Sequence, residues 1–221
     1  PLLYQEDLLR ALDYARSNGM GASIITNGSR LTNDLIDRLA PLVSMLGLSL
    51  DSADPTRNIG IGRIDSRGSL LDVDSLPEML VRAKSQNSAL RLKVNTVVNA
   101  LNHQEDMSPI MHALMPDRWK VLRMLQVVTT DLAVSSENFL AFVARHGAFH
   151  DVMCVEGNDD MTESYIMIDP LGRFFQNATG QKGYNYSNPI DLIGAERAFS
   201  EWRFSAGTYA ARYRDAVVVG R

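Results

Sequence analysis

Apolar positions recur along this chain in two rhythms. Leu8, Leu9, Leu12 and Ala15 form a stripe at helical spacing, closed by Ser17-Asn18-Gly19. Alternation then marks a strand at Ala22 to Thr26 that runs into an Asn27-Gly28 turn, and a helix is predicted from about Thr32 to Ala40. MLGLSLDSADP predicts a strand ending in Ser49 and Asp51. RNIGIGRIDSRGS reads as a glycine-rich loop, and DSLPEMLVRAKSQNS as a helix capped by Asp74 or Ser75.

The clearest alternation is LRLKVNTVVN, Leu90 to Asn99. Leu92, Val94 and Thr96 share one side, which puts Arg91, Lys93 and Asn95 on the other. A helix around Asp106 to Leu114 leads to a strand from Arg118 to Val127, on which Arg118, Lys120 and Leu122 share a face. ENFLAFVARHGAF predicts an amphipathic helix and DVMCVE a strand. ESYIMIDPLGRFFQN reads as a hairpin turned at Asp169-Pro170-Leu171-Gly172, followed by helices near Asp191 to Ser200 and Thr208 to Arg214.

Strands alternating with ten- to fifteen-residue helices predict a parallel α/β fold. Four or five βα units are present, fewer than the eight of a complete (β/α)8 barrel of about 250 residues. The chain opens on a helix with no strand before it.

Composition narrows the function. Of 221 residues, 45% are hydrophobic and the net charge is −4, so no basic surface for nucleic acid is expected; phosphate recognition must come from a few placed cations. Apolar runs are broken by charges or prolines well before membrane-spanning length, and no signal-peptide pattern opens the chain, so a cytoplasmic protein is expected. The single cysteine, Cys154, permits neither an internal disulfide nor a thiolate cage, so no metal ligands are expected within this chain.

In α/β folds the C-terminal strand ends carry the site. Lys93, Asn95, Arg118 and Lys120 come from successive strands, and Arg63 from the IGIGRI loop, which suits a phosphate or triphosphate. Carboxylates such as Asp51 or Glu163 are the alternative partners, because buried charge must be paired; a lysine Schiff base is a third option. Asn27, Ser49 and Asp51 suit hydrogen bonds to a sugar or amino acid, or else turns and caps. Gly60-Ile61-Gly62 lacks the third glycine of a dinucleotide fingerprint, since Asp65 stands there. His146 and His150 are expected as surface or capping residues, and Trp119 and Tyr165 as core or as stacking platforms for a base.

Several of these stretches, in this order and at this spacing, resemble the viperin family: Thr26-Asn27-Gly28-Ser29, Ser49-Leu50-Asp51-Ser52, Ile61-Gly62-Arg63, Lys93 to Asn99, Glu105-Asp106-Met107, Leu114 to Val121 and Ser164 to Asp169. The resemblance extends through PIDLIGAERAF and covers almost the whole chain. It implies a radical S-adenosylmethionine (SAM) enzyme with a partial (β/α) barrel, one domain over residues 1–221 with 170–221 as a C-terminal extension. The implied reaction converts CTP, UTP or GTP to the 3′-deoxy-3′,4′-didehydro analogue, an antiviral chain terminator, with a [4Fe–4S] cluster, SAM and an electron donor; a monomer is expected.

By position, the resemblance places SAM on Pro1, Asn27, Ser29 and Ser49. It places the triphosphate on Arg63, Lys93, Asn95, Arg118 and Lys120, and the nucleotide or radical site at Tyr165. Pro1 matches the end of the family's Gly-Gly-Glu-Pro motif. The family's CxxxCxxC cluster loop has no counterpart in this sequence, so the cluster ligands and the first βαβ portion of the barrel are expected to lie outside this chain. The alternatives are a non-catalytic nucleotide-binding fragment or scaffold, and a phosphate-binding barrel isomerase or aldolase.

Overall fold

A computed structural model of the protein describes residues 2–126, 130–177 and 183–214. Helix α1 (Gln5–Ser17) buries Leu9 and Leu12 and ends where Gly19 takes a positive φ of 72°. Strand β1 (Ser23–Thr26) follows, then α2 (Asn33–Leu39), whose Thr32 cap accepts from the Leu35 amide, and β2 (Met45–Ser49). Helix α3 (Pro55–Ile61) and helix α4 (Leu76–Gln86) lead to β3 (Arg91–Val98), α5 (Ser108–Leu114) and β4 (Arg118–Arg123). After them come α6 (Ser136–Arg145) and β5 (Met153–Glu156).

These five strands form one sheet in the order β1-β2-β3-β4-β5, a parallel α/β sheet as the alternation predicts. Registers Ile25↔Gly47↔Lys93 and Ser49↔Asn95 align the first three strands. One face is the core: Leu46, Leu48, Leu92, Val94 and Val98 pack with Leu35, Ile36 and Leu39 of α2, Leu80 and Ala83 of α4, and Phe139 and Phe142 of α6. Apolar burial of this extent is the main stabilising term.

The chain divides into two compact units, Pro1–Leu122 with Val134–Val155, and Arg123–Ala133 with Glu156–Arg221. The second unit contains α7 (Asn158–Met161) and an antiparallel sheet of β6 (Met167–Ile168), β7 (Phe174–Gln176) and β8 (Asn185–Tyr186). The expected hairpin turn is there, with the Asp169 amide donating to the Arg173 carbonyl at 2.9 Å. Helices α8 (Ile190–Ile193), α9 (Ala195–Ser200) and α10 (Ala206–Arg214) complete it, with Trp202 stacked on Phe174 at 5.7 Å. Among the described residues no helix is long and apolar enough to cross a membrane.

Three expected element bounds need correction. The stretch read as a loop from Arg57 begins inside α3: Asp54 accepts from the Thr56 amide at 2.8 Å, Pro55 occupies the first turn, and the helix persists until Gly62 at φ 86°. The helix expected from Asp191 to Ser200 is broken into α8 and α9 at Gly194, whose φ of 84° no helix accommodates. The strand expected to reach Val127 ends at Arg123, and Val127 itself lies outside the described residues.

Ser135 caps α6, its hydroxyl accepting from the Asn138 amide at 3.1 Å. Ser135→Ala should lower stability by about 1 kcal/mol, read from urea unfolding.

His146 is fully buried, which corrects the surface expectation but not the capping one; His150 is exposed as expected. His146 follows the last residue of α6. Its Nδ1–H donates to the Phe142 carbonyl at 2.8 Å, and its Nε2 accepts from the Met107 amide at 2.9 Å, at the start of α5. Burial holds its pKa below the usual 6.5, outweighing the Phe142 carbonyl and the Asp106 carboxylate, which favour the charged form. In the unfolded chain the imidazole protonates below about pH 6.5 while the native one stays neutral, so acid favours unfolding. Stability should fall on acidification from about pH 6.5 towards the native pKa, by at most about 1.4 kcal/mol per pH unit from this group. Urea midpoints at pH 7.5 and 5.5 check this, and His146→Gln should flatten that part of the slope.

Candidate functional site

The face of the sheet opposite the core carries the polar residues. Thr96 fixes the assignment: its hydroxyl donates to the Leu50 carbonyl at 2.8 Å and accepts from Trp119 Nε1 at 2.9 Å, so Trp119 of β4 lies on the core side. Alternation then turns Arg118 and Lys120 to the face that carries Lys93 and Asn95. The sequence expectation of cations from two strands on one face therefore holds. Lys120 is 7% exposed, and Arg118 Nη2 lies 3.3 Å from Cys154 Sγ.

Gly47 sits in the same row as Lys93. A Cβ there would stand 2.8 Å from Ile25 Cγ1 and 3.1 Å from the Ile24 carbonyl oxygen, so this position is kept without a side chain. In the next row Asn95 faces Ser49 across the ladder. The Asn95 Oδ1 atom is buried and has no hydrogen-bond partner among the described residues. A buried acceptor left unpaired costs about 1–3 kcal/mol unless a donor arrives from elsewhere, so the atom fits a donor on a bound ligand.

Asn27 and Ser29 follow the end of β1. Asn27 Oδ1 accepts from the Ser29 amide at 3.4 Å and from its hydroxyl at 3.1 Å, shaping the turn around Gly28 (φ 74°). Pro1 lies outside the described residues. Tyr165 belongs to the second unit, where its hydroxyl donates to Glu156 Oε2 at 3.3 Å.

Beyond β2 the chain enters two carboxylate-centred networks. Asp51, 1% exposed, accepts from Arg63 Nε at 2.6 Å and from the Val97 amide at 2.8 Å. Glu105 accepts from the Ser52 hydroxyl at 2.6 Å and the Ala53 amide at 2.9 Å, and Arg57 Nη1 lies 2.9 Å away. Asp51 was visible in the sequence as a polar strand end and a candidate carboxylate partner; that it engages Arg63 was not. The Glu105 network escaped notice because its members are some fifty residues apart along the chain.

A cluster held by thiolates does not fit the residues present. The only cysteine is Cys154, in contact with Arg118, and among the described residues no three His, Cys, Asp or Glu side chains converge as metal ligands. The polar strand ends carry hydrogen-bonding groups of the kind an organic ligand needs.

Solved structures share the fold of this chain. It superposes on Streptococcus suis SuiB bound to S-adenosylmethionine with a TM-score of 0.56 at 11% identity, covering 92% of this chain and 52% of that one. A domain of pyruvate-formate lyase-activating enzyme from Bacteroides vulgatus gives 0.53 at 14% identity, covering 71% and 94%. No family model matches the sequence.

Curated relatives are more specific. An S-adenosylmethionine-dependent nucleotide dehydratase of Psychrobacter lutiphocae is 39% identical over 202 residues, 91% of this chain and 67% of the relative. One from Pseudoalteromonas ulvae is 36% identical over 97% of this chain and 70% of its own length. That named RSAD2 from Siniperca chuatsi is 30% identical over 80% of this chain and 51% of the relative. The chain belongs to the S-adenosylmethionine-dependent nucleotide dehydratase family, the viperin family.

Proposed function

We propose that this chain carries the nucleotide- and SAM-holding face of a nucleoside triphosphate dehydratase, acting on CTP, UTP or GTP to give the 3′-deoxy-3′,4′-didehydro nucleotide with loss of one water. Such a product lacks the 3′-hydroxyl that polymerases extend, which supports an antiviral chain-terminating role. Asn27, Ser29 and Ser49 serve SAM through their side-chain oxygens and amides. Arg63, Lys93, Arg118 and Lys120 neutralise the triphosphate, and Asn95 orients the nucleotide by accepting from one of its donors. The [4Fe–4S] cluster of the family supplies electron transfer to SAM when bound; its ligands are not residues of this chain, and an electron donor is the implied redox partner. The acidic chain is read as a cytoplasmic monomer.

The observation that supports this most is the single sheet face on which β3 and β4 place Lys93, Asn95, Arg118 and Lys120, with the Asn95 acceptor unpaired among the described residues. Cations on rigid strands stabilise developing and resident negative charge without reorganising, and a ribose fixed beside bound SAM needs no search for its reactive geometry.

Calorimetric titration of CTP, UTP and GTP into the folded chain tests the reading. Saturable binding of at least one is expected, and a folded chain that binds none of them removes it. With a single cysteine, the 221-residue chain incubated anaerobically with iron, sulfide, SAM and dithionite should form no 5′-deoxyadenosine. Product from this chain would show that the cluster has ligands other than cysteines.

A further inference from the structure

Two arginines of this chain are held by aspartates in different ways. Arg173 gives Asp169 both Nε, at 2.9 Å, and Nη2, at 2.6 Å, so its fork is closed on one carboxylate. Arg63 meets Asp51 through Nε alone, at 2.6 Å, and its Nη atoms have no hydrogen-bond partner among the described residues. The side chain is 31% exposed while the carboxylate holding it is 1% exposed.

Asp51 is itself immobilised. Its second oxygen accepts from the Val97 amide, and its carbonyl accepts from Asn102 Nδ2 at 2.7 Å; that same Nδ2 also donates to the Val97 carbonyl at 2.9 Å. The carboxylate is thus tied to the end of β3 as well as to the end of β2. Arg63 is anchored at its other end too, its amide donating to the Asn58 carbonyl at 2.8 Å, and Asn58 Nδ2 donates to the Ser52 carbonyl at 2.8 Å. With backbone and Nε both fixed, the direction of the guanidinium plane is set before any ligand arrives.

We propose that Asp51 is a positioning residue that grips Arg63 by Nε and presents the remaining guanidinium N–H groups to a ligand oxyanion. This rests on Arg63 being an anion contact, as in the proposed function. The oxyanion is a phosphate of the nucleotide or the carboxylate of SAM; both accept from a planar fork. A buried aspartate whose arginine partner keeps donors to spare suits this role better than that of a closed structural pair, which spends the fork as Arg173 does.

Titrating a nucleoside triphosphate and SAM separately into the full chain and its variants tests the proposal. Arg63→Gln should weaken one of the two ligands about ten-fold or more, and which one identifies the oxyanion. Asp51→Asn keeps an oxygen for the Val97 amide but offers Arg63 Nε no acceptor. It should weaken the same ligand by a similar factor, with the double variant no weaker than Arg63→Gln alone. Arg63→Lys keeps the charge but lacks a fork, so it cannot serve Asp51 and the ligand together; it too should bind weakly, and it carries the test if Asp51→Asn does not fold. Wild-type affinity in folded Asp51→Asn, or in Arg63→Lys, overturns the positioning role and leaves the anion contact standing. Wild-type affinity for both ligands in Arg63→Gln removes the anion contact itself, and an unmodified folded chain that binds neither ligand removes both.

Discussion

Replacing Lys120 with methionine is expected to lower nucleoside triphosphate affinity about ten- to hundred-fold, the equivalent of losing a charge-assisted contact of about 1.5–3 kcal/mol. Methionine retains the length and most of the apolar stem of a side chain that is only 7% exposed, so packing is largely conserved while the ammonium is lost. Lys93→Met should act in the same direction, since Lys93 shares the face. SAM affinity should stay within about two-fold if its contacts lie at the strand ends rather than along these side chains. A purely structural role gives the opposite pattern. Removing one partner of a buried ion pair costs about 3–5 kcal/mol of stability, with affinity falling only as folded protein is lost. Titrations on variants shown by melting to be folded separate these outcomes. Unchanged nucleotide affinity in both variants places the triphosphate elsewhere, and borohydride should trap no adduct on either lysine.

The second large effect is on stability. Trp119→Ala should cost about 3–5 kcal/mol. The indole is fully buried and meets Phe142, His146 and Phe149 edge-on at centroid distances of 6.3, 5.1 and 5.5 Å. Its Nε1–H is the donor to Thr96 that ties β4 to β3. Alanine removes the ring contacts and the hydrogen bond together, and a gap between a strand and the α6 helix closes only partly. Trp119→Phe keeps much of the ring volume and should cost less, about 1–2 kcal/mol, chiefly the lost hydrogen bond. Urea midpoints at constant slope measure both. A cost below about 1 kcal/mol for alanine would show that the ring cluster is loosely packed. Because Trp119 and Lys120 point to opposite faces of one strand, any slip of β4 after the core substitution should also weaken nucleotide binding.

Where the sequence was most legible, its signal was local. Alternation in Leu90 to Asn99 is a two-residue repeat, and it sorted Leu92, Val94 and Thr96 from Lys93 and Asn95 as the sheet does. Helix α3 was missed because Gly60 and Gly62 were read as loop residues, whereas the Asp54 cap and Pro55 at the first turn start a helix that Gly62 only ends. The break at Gly194 has the converse origin: the glycine lies inside the helix expected from Asp191 to Ser200, and its positive φ breaks that helix. His146 shows a different limit. Its neighbours in sequence mark a helix end, but its burial comes from α5 and β4, which pack against it from far along the chain.

The sequence by itself determined the succession of the five parallel strands, the polar character of one face of β3 and β4, and the impossibility of a thiolate cluster on a single cysteine. These depend on interactions between residues two to four apart, or on composition alone. Only the tertiary structure decided that Asp51 takes Arg63, that Glu105 takes Ser52 and Arg57, that burial lowers the pKa of His146, and that the Asn95 acceptor is unpaired among the described residues. Those pairings depend on strand register and on how far each group is withdrawn from water, and both arise only when segments distant in the chain pack together.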